Sequence, residues 1–193
     1  WTGRMVFYNH DGKEGLLLAT TSVCNEIDLA QEDNSIFGKI LFIDFETKNY
    51  KIFSKGHRNA QGLYVFNDVI LSSEHGPKGG DEINNIKYGG NYGWPIVSYG
   101  KPYDKDLQDP FLKDHSKFNF NEPIFSFIPS IAISDIEKLS KKFTPKYALE
   151  NLFVIGSLNG RSIFLIQFND HYNKINFFEK IVVGERIRDI EFS

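Results

Sequence analysis

A single cysteine, Cys24, leaves the chain without an intrachain disulfide, so packing and hydrogen bonding alone must hold its fold. No histidine is arranged to activate that thiol, and a small buried apolar role suits Cys24 better than nucleophilic chemistry. No apolar run approaches the roughly 20 residues of a membrane-spanning helix. Basic clusters are missing as well: 22 Lys+Arg stand against 25 Asp+Glu, and a net charge of −3 argues against a nucleic-acid partner. The five histidines lack zinc-site spacing, and no acidic loop of the EF-hand kind occurs. There is no initiator Met and no signal sequence, and strand-like runs reach both ends. The expectation is a piece of a longer protein, truncated at both ends, so the missing signal peptide does not indicate a compartment.

What the chain does have is aromatic: 18 Phe and 9 Tyr, many in short alternating runs that suit strands better than helices. Its 193 residues are enough for one domain with a substantial core. Residues 4–8 and 16–21 are predicted strands about the turn Asn9-His10-Asp11-Gly12, which places His10 on the surface. Residues 38–45 pair with 50–54, and 63–66 with 69–73 about Asn67-Asp68. Residues 82–87 follow this hairpin, and further strands are expected at 96–99, 124–128, 152–157, 162–169, 177–183 and 186–192. Residues 24–35 look like loop, and 101–121 like a long charged insertion. One short helix is expected at 134–142, with Ser134 as N-cap and Glu137 three residues on. The class is all-β: a sandwich, a barrel or a propeller. Strand starts near Lys39, Leu63, Ile124 and Leu152 are too uneven to establish the repeat of about 40–45 residues typical of propeller blades.

The stretch least like ordinary filler is residues 56–95, GHRNAQGLYVFNDVILSSEHGPKGGDEINNIKYGGNYGWP. Its hairpin is flanked by a loop carrying Arg58, Asn59 and Gln61 and by a second loop, residues 74–82, whose glycines allow close backbone approach to a ligand. Two polar surface turns would explain the same residues.

The run His57-Arg58-Asn59-Ala60-Gln61-Gly62, then Ser73-Glu74-His75-Gly76-Pro77, Gly80-Asp81-Glu82 and Asn91-Tyr92-Gly93-Trp94-Pro95, resembles the glucose/sorbosone dehydrogenase family. These are soluble quinoprotein aldose dehydrogenases, six-bladed β-propellers that use pyrroloquinoline quinone (PQQ) and Ca2+. The resemblance implies a partial propeller of about four blades over residues 1–193. It also implies oxidation of an aldose by hydride transfer to PQQ, with an electron acceptor as second partner, in a periplasmic or secreted protein.

Residue by residue, the resemblance assigns PQQ contacts to Arg58, Asn59, Gln61, His75, Arg186 and Arg188. It assigns Ca2+ to the carbonyls of Gly76 and Pro77, hard oxygen donors of the kind calcium accepts. A planar guanidinium suits a carboxylate, and i, i+2 spacing puts Arg186 and Arg188 on one face of a strand; a solvated strand face paired with Glu185 and Asp189 is the alternative. Glu74, Asp81 and Glu82 are expected to accept structural hydrogen bonds rather than to bind metal.

Several positions depart from the family pattern. The general-base histidine, read from the register of Gly3-Arg4, would fall before Trp1. Its partner aspartate lands at Ser22-Val23, a lysine is replaced at Asn159, an aromatic at Ile128, and a proline at Ala60. Loss of a general base alone removes about 100- to 10,000-fold in rate. A degenerate propeller that binds a ligand or protein partner without redox chemistry is therefore the second expectation.

Overall fold

The computed structural model describes residues 3–103, 109–140, 142 and 150–192. Side-chain alternation makes the strands: along β11 (Ser162–Phe168), Ser162, Phe164, Ile166 and Phe168 are buried and the residues between them are not. Three antiparallel four-stranded sheets result, each in chain order. The first holds β1 (Met5–His10), β2 (Lys13–Ala19), β3 (Lys39–Asp44) and β4 (Tyr50–Lys55). The second holds β5 (Ala60–Phe66), β6 (Val69–Glu74), β7 (Asp81–Asn85) and β8 (Phe125–Phe127). The third holds β9 (Ile133–Lys138), β10 (Leu152–Ser157), β11 and β12 (Ile175–Val182). The β1–β2 turn places Asp11 and Gly12 at φ 53° and 79°, which an Asp-Gly pair adopts at little cost.

β5 lies against both β1 and β9, so the first strand of each sheet faces a common centre and the sheets stack as propeller blades. Two cores fill the spaces between them. Leu17, Ile40, Phe42 and Phe53 of the first sheet meet Leu63 and Ile70 of the second. Leu71, Ile83 and Phe127 of the second meet Ile136, Phe153, Phe164 and Phe168 of the third.

Five local expectations change. The helix at 134–142 is instead strand β9, paired with β10 through Ile136 opposite Ile155 and Lys138 opposite Phe153. Ile133 and Ile136 are fully buried, and Ser134 Oγ donates to Ile187 O at 2.7 Å instead of capping a helix. Residues 141 and 143–149 lie outside the described residues. Residues 96–99 form no strand: Val97 N donates to Gly93 O at 2.9 Å, closing a turn over 93–97, and Val97 makes one bridge to Leu112. Residues 186–192 bond to the ends of β9 and β10 without joining a sheet, so the described residues complete three blades where about four were expected. Cys24 is exposed, while His10 is 6 % exposed within an aromatic cluster of Phe42, Phe53 and Tyr88.

Between β2 and β3 a 3-10 turn, Ile27–Ala30, is closed by an unusual cap. Lys39 is fully buried, and its ammonium donates to the carbonyls of Leu29, Ala30 and Phe37 at 2.7, 3.0 and 2.8 Å. Burial, with Lys55 next, pulls its pKa down to about 8, so it stays protonated at neutral pH. Lys39→Met should lower the unfolding free energy by about 2–4 kcal/mol, read from urea denaturation, because three buried carbonyls lose a charged donor.

His10, His75 and His115 are all held below the ordinary value of 6.5, in each case chiefly by burial. The unfolded chain takes up protons near 6.5 and the folded chain only at lower pH. Stability should therefore be full above that value and fall as the pH drops below it. His10→Phe should shallow the decline in melting temperature between about pH 7.5 and about pH 5.

Candidate cofactor site

One buried carboxylate organises the 57–59 connector between β4 and β5. Glu74, at the end of β6, accepts from the backbone amides of Arg58 and Asn59 and lies 3.0 Å from His57 Nδ1. His57 is fully buried, 2.9 Å from Ser54 Oγ through its other ring nitrogen and stacked on Tyr92 at 4.8 Å. With both nitrogens engaged, His57 shapes the loop rather than reacting.

The clamp fixes where the Arg58 side chain emerges. One guanidinium nitrogen donates to His75 O at 3.0 Å, and the group lies over the rings of Trp94 and Tyr103, 5.4 and 5.9 Å from their centroids. Trp94 Nε1 donates to Ser22 Oγ at 3.1 Å, and Ser22 N donates to Arg58 O at 2.8 Å. Arg58 and Asn59 thereby form one wall of a cavity of about 400 Å³ whose other wall is Thr21, Ser22, Val23, Cys24 and Asn25. Gln61 Nε2 donates to Asn59 Oδ1 at 3.0 Å, which orients that amide.

The second loop is held by another carboxylate. Asp81 Oδ1 accepts from Gly76 N at 3.1 Å, while Oδ2 accepts from Ile131 N and Ile133 N at 3.0 and 3.1 Å. Gly80 has φ 72°, and a Cβ there would lie 2.4 Å from Gly100 N, so the two loops touch backbone to backbone. Pro77 O accepts a 3.3 Å bond from Ser130 Oγ. The side-chain nitrogen His75 Nε2 is buried with no hydrogen-bond partner, and burial keeps the ring neutral at pH 7 against the pull of Asp81.

Glu74 and Asp81 are thus structural acceptors, as expected from the sequence. Glu82 is different: its one side-chain bond is a long 3.4 Å contact from Asn84, and burial, followed by the Glu74 charge, pushes its pKa well above the carboxylate range. It borders a small cavity of about 10 Å³ shared with Gly76, Pro77 and His75. Among the described residues no group of three or more His, Cys, Asp or Glu is arranged to hold a metal.

Arg58, Asn59, Gln61, His75, Gly76 and Pro77 are thus drawn into one region. Arg186 and Arg188 are exposed, and their side chains form no hydrogen bond or ion pair among the described residues. Sequence reasoning assigned no role to Arg4, which had served only to set a register. Its guanidinium donates to Gln61 O at 2.9 Å and pairs with Asp135 and Asp189 at 3.3 and 2.7 Å. Of the departures, Val23 lines the larger cavity, Ile128 is 66 % exposed, and Ala60 is packed in the core.

The family model described as Glucose / Sorbosone dehydrogenase matches residues 1–193. The chain belongs to that family. Aldose sugar dehydrogenase YliI of Escherichia coli is 30 % identical over 205 aligned residues, covering 97 % of this chain and 53 % of that protein. Quinoprotein glucose dehydrogenase B of Acinetobacter calcoaceticus is 56 % identical over 48 residues, 24 % of this chain and 10 % of that protein. A crystal structure of a glucose dehydrogenase superposes with a TM-score of 0.80 at 26 % identity, covering 95 % of this chain and 56 % of that one. The chain spans about half the length of both YliI and this structure.

Glu74→Ala should cost about 3–5 kcal/mol in urea denaturation, since it leaves two backbone amides and a buried imidazole without their acceptor.

Proposed function

We propose that this chain supplies the cofactor-binding part of a quinoprotein that oxidises an aldose, with PQQ and Ca2+ as its cofactors. The observation that carries the proposal is the Glu74 clamp. It presents the Arg58 cation and the Asn59 amide on the wall of a cavity of about 400 Å³, beside the Gly76-Pro77 loop.

The residues present fit the group. A flat tricarboxylate asks for a planar cation, an amide and an aromatic surround, and Arg58, Asn59 and Trp94 provide these. The unpartnered His75 Nε2 offers a further polar contact. Gly76 and Pro77 would hold the calcium through their carbonyls. Bound there, PQQ supplies the two-electron acceptor for oxidation at the sugar C1.

Arg58 and Asn59 bind and orient, Arg186 and Arg188 add positive charge, and Gln61 holds the Asn59 amide in place. None of the residues lining the larger cavity is a ready proton acceptor. The partners are then a small-molecule sugar and a separate electron acceptor, and residence is periplasmic or secreted. No helix among the described residues is long and apolar enough to cross a membrane. A propeller that binds without redox chemistry is the weaker reading, because the dehydrogenase family model matches residues 1–193.

Titration with PQQ in Ca2+ should show saturable binding that chelation abolishes. Arg58→Ala should weaken it by about 10- to 100-fold, the worth of one charge-assisted contact. The full-length protein loaded with both should reduce a dye with aldoses. Absence of binding, or binding indifferent to Ca2+ and to Arg58, would count against the proposal.

A further inference from the structure

We infer that Arg4 is a positioning residue that ties the segment bearing Arg186 and Arg188 to the Asn59–Gln61 side of the cavity; this rests on the cofactor reading above. Arg4 stands just before β1, next to the first strands of the other two blades. Its three contacts lead in three directions. Nε donates to Gln61 O at 2.9 Å, and the Gln61 side chain in turn holds Asn59 Oδ1 at 3.0 Å. One terminal nitrogen reaches Asp135 of β9 at 3.3 Å, and the other reaches Asp189 at 2.7 Å.

Asp135 completes the tie, because its Oδ2 accepts from Ile190 N at 3.0 Å. Ser134 Oγ to Ile187 O at 2.7 Å and Ile187 N to Ser157 O at 3.2 Å pin the same segment. The two free arginines therefore flank a residue, Ile187, whose backbone is bonded on both sides. The next residue after Arg188, Asp189, is salt-bridged back to Arg4.

Asp135 has a side chain only 3 % exposed, so its carboxylate depends on this company. Burial pushes its pKa up, while the Ile190 amide and Arg4 pull it down; the Arg4 contact holds Asp189 below the usual range. A lysine at position 4 has no planar fork to serve a carbonyl and two carboxylates together. The path Asn59–Gln61–Arg4–Asp189–Arg188 joins residues from the two ends of the chain without any contact between the cofactor arginines themselves.

The test uses the full chain in Ca2+ with Arg4→Gln, Asp189→Asn and the double variant. It reads hydrogen exchange at the Ile187 and Ile190 amides alongside PQQ affinity. Each single variant is expected to speed exchange and weaken PQQ binding by about tenfold or more, and the double should be no worse than the worse single, since both break one link. Protection of Ile190 that survives Arg4→Gln overturns the inference. So does a segment that loosens with PQQ affinity unchanged, or a fall in melting temperature alone. If Arg4→Gln does not fold, Asp189→Asn carries the same test, because that side chain is 64 % exposed and its loss spares the blade contacts. Should the unsubstituted chain take up no PQQ, the cofactor reading and the claim on the cofactor fall, while docking by Arg4 is decided by exchange alone.

Discussion

Glu74 accepts from two consecutive amides and an imidazole at once, and the rest of the site follows from that convergence. A carboxylate buried in this way is tolerable only when its lone pairs are filled, and here loop backbone fills them. The consequence runs outward: the amides set the path of residues 57–59, the path sets where Arg58 emerges, and the aromatic rings of Trp94 and Tyr103 keep its guanidinium from folding elsewhere. Asp81 repeats the device one loop later and stitches the Gly76 turn to the approach of the third blade.

The parts of this arrangement that lie close together in sequence were legible without coordinates. Alternation along residues 162–168 and the Asp11-Gly12 turn are written in side-chain order and in a dipeptide, and both appear as expected. The structural roles of Glu74 and Asp81 followed from their setting in a glycine-rich loop. Residues 134–142 show where local pattern gives out. Ser134 and Glu137 have the spacing of a helix start, yet Ile133 and Ile136 find a buried partner strand in β10, and that burial outweighs a cap. His10 was hidden for the same reason, since nothing in a turn sequence announces three distant aromatic rings. Arg4 and Asp189 lie at opposite ends of the chain, and no periodicity or motif spans that separation.

Membership of the glucose/sorbosone dehydrogenase family and the three stacked sheets agree with one another. The chain spans about half the length of YliI and of the superposed dehydrogenase structure. Among the described residues the clamp holds the Arg58 cation beside the Asn59 amide, and Arg186 and Arg188 are exposed on a segment bonded to β9 and β10.

The backbone contact between Gly80 and Gly100 has an evolutionary reach beyond the two positions. Neither can acquire a side chain unless the loops separate, and Pro77 packs against Gly100 closely enough that a Cβ there would lie 2.6 Å from its ring. Sequence drift in residues 76–80 is therefore coupled to drift in the polar loop that begins after Gly100. An insertion or deletion in either loop would be accepted only if it preserved that glycine crossing.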